Sequence, residues 1–216
     1  MAIRVFGFPS STCTSRVLFV LEELGVEYEL IPVNFAAGEH KQHPYLERNP
    51  FGQIPAFQDG DLALFESRAI TRYLVRKYGK DSGLLKKTTP EAAAAVDQWM
   101  EVETAQFDPA ISTIVFQILV VPFFLGGTTD EKVVEAQLAK LGKVLDVYEA
   151  RLSKSKYLAG ESYTLADLHH IPCIHYFLTA TPHASVFDSL PHVKAWWEAI
   201  SSRPAIAKIT AGMSLK

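Results

Sequence analysis

Apolar positions come in short runs at the start of the chain and at helical spacing later. "IRVFG", residues 3–7, is the kind of run a short buried strand makes. From "STCTSRVLFVLEELG", 11–25, the spacing changes. Val17, Val20 or Leu21, and Leu24 fall on one side, with Glu22 and Glu23 on the other, which predicts a helix stopped by Gly25. "EYELIPV", 27–33, returns to strand. Strand, helix and strand in that order predict a β-α-β unit with parallel strands. "DGD" at 59–61, between "PAFQ" and "LALF", predicts a hairpin. In "ESRAITRYLVRKYG", 66–79, Ile70, Tyr73, Leu74 and Lys77 step at three and four, so this segment reads as a helix.

The order β-α-β, then β-β-α, is the layout of a thioredoxin-like half. "KDSGLLKKTTP", 80–90, has the composition of a linker. Beyond it the strand signals stop. Residues 91–121 read as one or two helices. In 130–152 the stripe Val134, Leu138, Leu141, Leu145, Tyr148 and Leu152 is backed by a charged face, as in a helix packed on a core. "TLADLHHIPCIHYFL" opens with Thr164 and, three residues on, Asp167, an N-capping signature. "LPHVKAWWEAIS", 190–201, reads as the last helix, with Pro191 in its first turn. No repeat is visible. The expected fold is an α/β thioredoxin-like N-terminal domain over 1–79, a linker over 80–90, and an all-α C-terminal domain over 91–216.

Composition narrows the classes. The chain has 216 residues, 48% apolar and 21% charged, with a formal net charge of −3. That is the profile of a soluble globule without the basic stripe that nucleic-acid binding needs. Its two cysteines, Cys13 and Cys173, are too few for a secreted disulfide scaffold. "MAIRVFGF" has no long apolar core of a signal peptide, neither Asn34 nor Asn49 heads a glycosylation sequon, and the last residues read SLK rather than SKL. The most apolar window, 111–125, falls short of the ~18 residues of a membrane span and contains Gln117 and Pro122. A cytoplasmic protein that meets neither membrane nor nucleic acid is expected.

Four stretches carry candidate chemistry. Ser11 stands where helix one begins, among free N–H groups that favour negative charge. It can cap the helix, or it can donate a hydrogen bond to a ligand thiolate and lower that thiol's pKa. Cys13, two residues on, is the competing reactive group, while Cys173 in an apolar helix reads as core. "NPFGQIPAF", 49–57, suggests a cis bond before Pro55 and a free Ile54 backbone able to hold a peptide-like ligand as an added strand. The alternative is an ordinary loop proline. At 66–67, Glu66 and Ser67 begin a helix. Either they only cap it, or Glu66 pairs with an α-ammonium while Ser67 and the helix end hold an α-carboxylate. "GEHKQH", 38–43, offers His40 and Lys41: surface residues taken alone, or partners for a second carboxylate. His40 and His43 do not make a zinc set, and no metal is expected.

"PSSTCTSRVL", "GEHKQ", "RNPFGQIPAF" and "LFESRAITRYL" together resemble the N-terminal half of glutathione transferases. "TLADLHHIP" and "LGKVLDVYEARL" resemble the helical half, and the combination is most similar to the plant phi class. The resemblance spans essentially the whole chain. It implies a homodimeric enzyme that takes glutathione as co-substrate, without a further cofactor, and conjugates it to small apolar electrophiles, with peroxide reduction as a related activity. Carried over position by position, Ser11 would activate the thiol with Thr12 beside it. Gln53 and Ile54, before a cis-Pro55, would hold the cysteinyl part. Glu66 and Ser67 would hold the γ-glutamyl end, and His40 and Lys41 the glycine carboxylate. Thr164 and Asp167 match a buried capping motif with a folding role. Phe8, Thr12, Phe35, Phe116, Leu119, Val120 and Phe123 are the implied electrophile pocket, with plain core as the alternative for 115–124. Rival readings are a thiol–disulfide oxidoreductase using Cys13, a non-catalytic ligand carrier, and a scaffold module like that of a translation elongation factor subunit.

Overall fold

The computed structural model describes residues 2–86 and 88–213. Lys87 of the expected linker and the closing SLK lie outside the described residues. The first half runs β1 (Ile3–Phe6), α1 (Thr12–Glu23), β2 (Tyr28–Ile31), a 3-10 turn (Glu39–Lys41), α2 (Tyr45–Arg48), β3 (Ala56–Asp59), β4 (Leu62–Phe65) and α3 (Ser67–Tyr78). The sheet order is β2-β1-β3-β4. β1 pairs parallel with β2, Ile3 against Tyr28, and antiparallel with β3, Phe6 against Ala56. The predicted hairpin pairs Asp59 with Leu62 around Gly60, whose φ is 61°. Left-handed backbone at that position suits glycine.

The second half opens with α4 (Pro90–Val102), a π turn (Glu103–Phe107), α5 (Asp108–Val115), a second π turn (Phe116–Val120) and α6 (Val121–Phe124). These join into one helix, Pro90–Phe124, of 35 residues. By length and composition alone this helix could cross a membrane, so the shortness argument drawn from 111–125 taken by itself does not hold. Its Val96, Met100, Phe107, Ile111 and Ile114 are nevertheless buried in the protein, as in a core helix. α7 (Glu131–Leu152) buries Val134, Leu141, Leu145, Tyr148 and Leu152 of the predicted stripe. α8 (Leu165–Leu168), α9 (Ile171–Ala180) and α10 (Pro191–Ser201) follow. The helical stretch that Thr164 opens breaks at His169–His170, just before Pro172. Proline there lacks the N–H that would continue the ladder.

The Thr164–Asp167 capping box forms. Asp167 is fully buried and accepts four hydrogen bonds: Leu158 N–H at 3.0 Å, Thr164 N–H at 2.9 Å, the Thr164 hydroxyl at 3.1 Å and Trp196 Nε1–H at 3.0 Å. Burial pushes its carboxyl up to about 6 against these donors, which favour the anion.

A last helix, α11 (Pro204–Thr210), lies beyond the segment read as the final one. It packs on α1 and is pinned there by two ion pairs. Arg203 grips Glu23 with two bonds of 2.6 Å, and Lys208 reaches Glu22 at 2.8 Å. This bears on two expectations. The compact units are Met1–Leu85 with Arg203–Lys216, and Lys86–Ser202, so α11, within the stretch 91–216 expected to be helical, groups with the first unit. α1 is also not one-sided. Every residue from Thr14 to Leu21 is buried, because α3 and α11 both cover it.

Candidate functional site

The loop from β1 to α1 delivers Ser11. Gly7 ends the strand where a Cβ would sit 2.5 Å from Thr14 Oγ1, so only glycine lets the first turn of α1 come this close. Ser11 is the N-cap, with extended φ −76° and ψ 126°. Thr14 N–H donates to Ser11 Oγ at 3.3 Å. The hydroxyl is half-buried, and among the described residues nothing receives its proton. A serine hydroxyl has one proton and two lone pairs. With a lone pair taken by the helix, the remaining proton can be given outward. Capping and donation to a ligand therefore coexist at Ser11.

Ser67 repeats this arrangement at the start of α3. It is 5% exposed, and the Arg16 guanidinium donates to its Oγ at 2.9 Å. No described residue receives the Ser67 proton either. The neighbouring Glu66 is exposed and caps nothing with its side chain. It has φ 69°, the only positive value at a non-glycine among the described residues. That backbone costs on the order of 1–3 kcal/mol, and such outliers gather where a ligand is clamped. Glu66 is thus held at the rim of a helix N-terminus that has hydrogen-bonding capacity to spare.

The segment 49–55 is built around Asn49, which the sequence reading passed over. Asn49 is 2% exposed; its Nδ2 donates to Gln53 O at 2.7 Å and its Oδ1 accepts from Phe51 N–H at 3.0 Å. Tyr45 Oη donates to the same Gln53 carbonyl at 2.9 Å, and burial pushes its phenol up to about 12. Gln53 itself is exposed, and the Ile54–Pro55 bond is cis. Among the described residues the Ile54 N–H and C=O have no backbone partner. A strand-like edge is left open beside a carbonyl fixed from two sides.

Lys41 lies across this loop and donates to Phe51 O at 3.0 Å. Gly52, φ 58°, leaves room for it, since a Cβ there would meet His40 O at 2.7 Å and Lys41 Cδ at 2.8 Å. His40 is not the surface residue its segment suggests. It is 8% exposed and stacked flat on Phe35, centroids 3.8 Å apart. Its buried Nδ1 has no partner among the described residues, and burial followed by the Lys41 charge lowers its pKa. Phe8 meets the edge of Phe35 at 5.8 Å.

The other expected residues are placed as follows. Thr12 and Cys13 are half-buried in the first turn of α1, and Cys13 Sγ lies 3.6 Å from Arg16 Nη1. Cys173 is buried, as expected of a core residue. Phe116 and Phe123 are exposed at 44% and 73%, and Val120 is half-buried. Leu119 is 3% exposed. Leu119 lies four residues after buried Val115 and eight after buried Ile111, on the same helix face, whereas Phe116 falls off that face. Phe124 and Leu125, not foreseen, are exposed at 67% and 65%. A cavity of about 200 Å³ lined by Phe6, Glu47, Arg48, Phe57, Gln58 and Ala63 holds none of the expected residues. Among the described residues no cluster of His, Cys, Asp or Glu could hold a metal ion.

Comparison with known proteins agrees with this geometry. Residues 1–76 match the family model "Glutathione S-transferase, N-terminal domain", and 107–204 match "Glutathione S-transferase, C-terminal domain". A probable glutathione S-transferase of Oryza sativa subsp. japonica is 54% identical over 98% of this chain and 97% of its own. The crystal structure of glutathione transferase F7 from Populus trichocarpa superposes with a TM-score of 0.95 at 52% identity, covering 99% of this chain and 100% of that one. Glutathione S-transferase I from mais, in complex with an atrazine glutathione conjugate, gives 0.92 at 52% identity over 99% and 98% of the two chains.

Proposed function

The chain belongs to the glutathione S-transferase family, in its plant phi class, and we propose that Ser11 activates the glutathione thiol for attack on a small apolar electrophile. Glutathione, a tripeptide with one ammonium, two carboxylates and one thiol, fits the four constellations in turn. Glu66 pairs with the γ-glutamyl ammonium, and Ser67 with the α3 N-terminus holds its carboxylate. The open Ile54 backbone before Pro55, beside Gln53, takes the cysteinyl part as an added strand. His40 and Lys41 receive the glycine carboxylate. The sulfur then falls to Ser11, with Thr12 beside it.

The Ser11 hydroxyl donates to the sulfur while the α1 N-terminus favours negative charge there. The thiol proton leaves to solvent, the thiolate forms a bond to an electrophilic carbon, and the leaving group departs with its electron pair. Lowering a thiol pKa by two units corresponds to ~2.7 kcal/mol. One hydrogen bond to a charged group contributes ~1.5–3 kcal/mol and a helix end ~0.3–1 kcal/mol, so the parts suffice. Phe8 and Phe35, edge to face at 5.8 Å, offer apolar surface to the electrophile. With a peroxide in place of the carbon electrophile, the thiolate takes one oxygen as the O–O bond breaks and an alcohol leaves, and a second glutathione reduces the resulting sulfenic acid to disulfide and water. We further propose a cytoplasmic homodimer; Phe51, 65% exposed and packed edgewise on Phe65 at 5.9 Å, is an apolar knob suited to such an interface.

The carrying observation is the Ser11 hydroxyl, with its acceptor side used by Thr14 N–H and its proton received by none of the described residues. The test is conjugation to a chloronitroaromatic electrophile by wild type and Ser11→Ala, with glutathione affinity measured alongside. Turnover falling ~10²–10³-fold, as when one preorganised donor is lost, with affinity retained, supports the assignment. Equal turnover would reduce Ser11 to a cap and open the way to Cys13 chemistry or to a carrier role.

A further inference from the structure

We propose that Arg16 is a positioning residue of the glutathione site, its buried guanidinium setting which way the Ser67 hydroxyl points. The proposal rests on the glutathione reading above and concerns how the γ-glutamyl carboxylate is held. Arg16 is 1% exposed, an uncommon state for arginine. It is borne by α1, and its Nη1 donates at 2.9 Å to Ser67 Oγ, 51 residues away on α3. The same nitrogen lies 3.6 Å from Cys13 Sγ, in the turn that Ser11 caps. One side chain thus joins the start of the helix that carries Ser11 to the start of the helix that carries Ser67.

A guanidinium has five N–H donors and no lone pair to offer. Any hydroxyl it touches must accept, so the single Ser67 proton turns elsewhere. Ser67 is the first residue of α3, a helix of 12 residues, where unpaired N–H groups and the dipole already favour an anion. The hydroxyl proton is therefore presented to the group those N–H donors attract, and the buried charge strengthens the attraction. The ligand group this suits is a carboxylate. Lysine would keep the charge but lose the planar fork that fixes the Ser67 lone pair.

The test compares two ligands: glutathione, and the analogue lacking the γ-glutamyl α-carboxylate. Binding of each is measured by calorimetry for wild type, Arg16→Lys, Ser67→Ala and the double variant, after thermal melting confirms folding. Arg16→Lys should weaken glutathione roughly tenfold or more, the worth of one hydrogen bond to a charged group, while the analogue stays within about twofold. The double variant should bind glutathione no worse than Ser67→Ala alone, because Arg16 acts through that hydroxyl. KM for glutathione should rise with kcat at saturation unchanged. Equal losses for both ligands, or independent losses in the double variant, would overturn the proposal. Should Arg16→Lys not fold, Arg16→Gln takes its place. If neither folds, Arg16 serves the fold and the positioning role falls. A wild type that binds neither ligand would bring down the glutathione reading first, and this proposal with it.

Discussion

Two helix N-termini in this chain are made from similar parts and left in opposite states. At α8, Thr164 and Asp167 form a closed box in which the carboxylate accepts four donors and no polar surface reaches solvent. At α1, Ser11 accepts one N–H at 3.3 Å, and no described residue receives its proton. α3 is similar, with Ser67 accepting from Arg16 and Glu66 held at positive φ without capping anything. A saturated network specifies the fold, since each member is costly to leave unpaired. An unsaturated terminus facing outward is a place for an anion to land. The contrast separates a structural cap from a binding cap more sharply than residue type does, because a hydroxyl beside helix N–H groups is common to both.

The largest expected effect is at the closed box. Asp167→Ala leaves four buried donors unpaired, and denaturant titration should show a loss of ~3–5 kcal/mol. Activity per folded molecule should be unchanged; a loss below ~1 kcal/mol would erase the contrast. The open cap should behave in reverse. Ser11→Ala, severe for turnover, should cost only ~1 kcal/mol of stability, as for an ordinary N-cap. A pH series sharpens the comparison. The Asp167 carboxyl is raised from 3.8 to about 6 in the folded state, so its contribution to stability is full below about 4 and is lost as pH rises through about 6. Between pH 7 and pH 5, wild type should therefore gain roughly 1 kcal/mol relative to Asp167→Asn, whereas carboxylates with lowered pKa values, such as Asp59 and Glu149, act in the opposite direction in both proteins. No relative gain would mean that the four donors outweigh burial. The smallest effect is at the partly exposed clamp, where Arg203→Gln should cost ~1 kcal/mol or less in a melting experiment.

The sheet, the hairpin and the open caps were legible because their signals are local: alternation, a DGD turn, hydroxyls at a helix start. The Thr164–Asp167 box was legible for the same reason. Arg16 was not, since "STCTSR" reads as a polar face and only α3, packed from 51 residues away, turns it into an interior. Asn49 was not legible because its role, pinning the Gln53 carbonyl at 2.7 Å, is a contact inside the loop that no spacing encodes. The burial of His40 comes from stacking on Phe35, which no spacing rule encodes. α11 escaped because its seven residues, "PAIAKIT", carry too few periods to stand out.

The pairing of α11 with α1 bears on the order in which the protein is made. Arg203 meets Glu23 across 180 residues of chain, and Lys208 meets Glu22 across 186. A domain that begins at the N-terminus would ordinarily fold as soon as it left the ribosome. Here the sheet and α3 can assemble early, but one flank of α1 stays bare until nearly the whole chain has been synthesised. The helix that presents Ser11 is therefore finished last, and its apolar flank is the surface most in need of protection during synthesis.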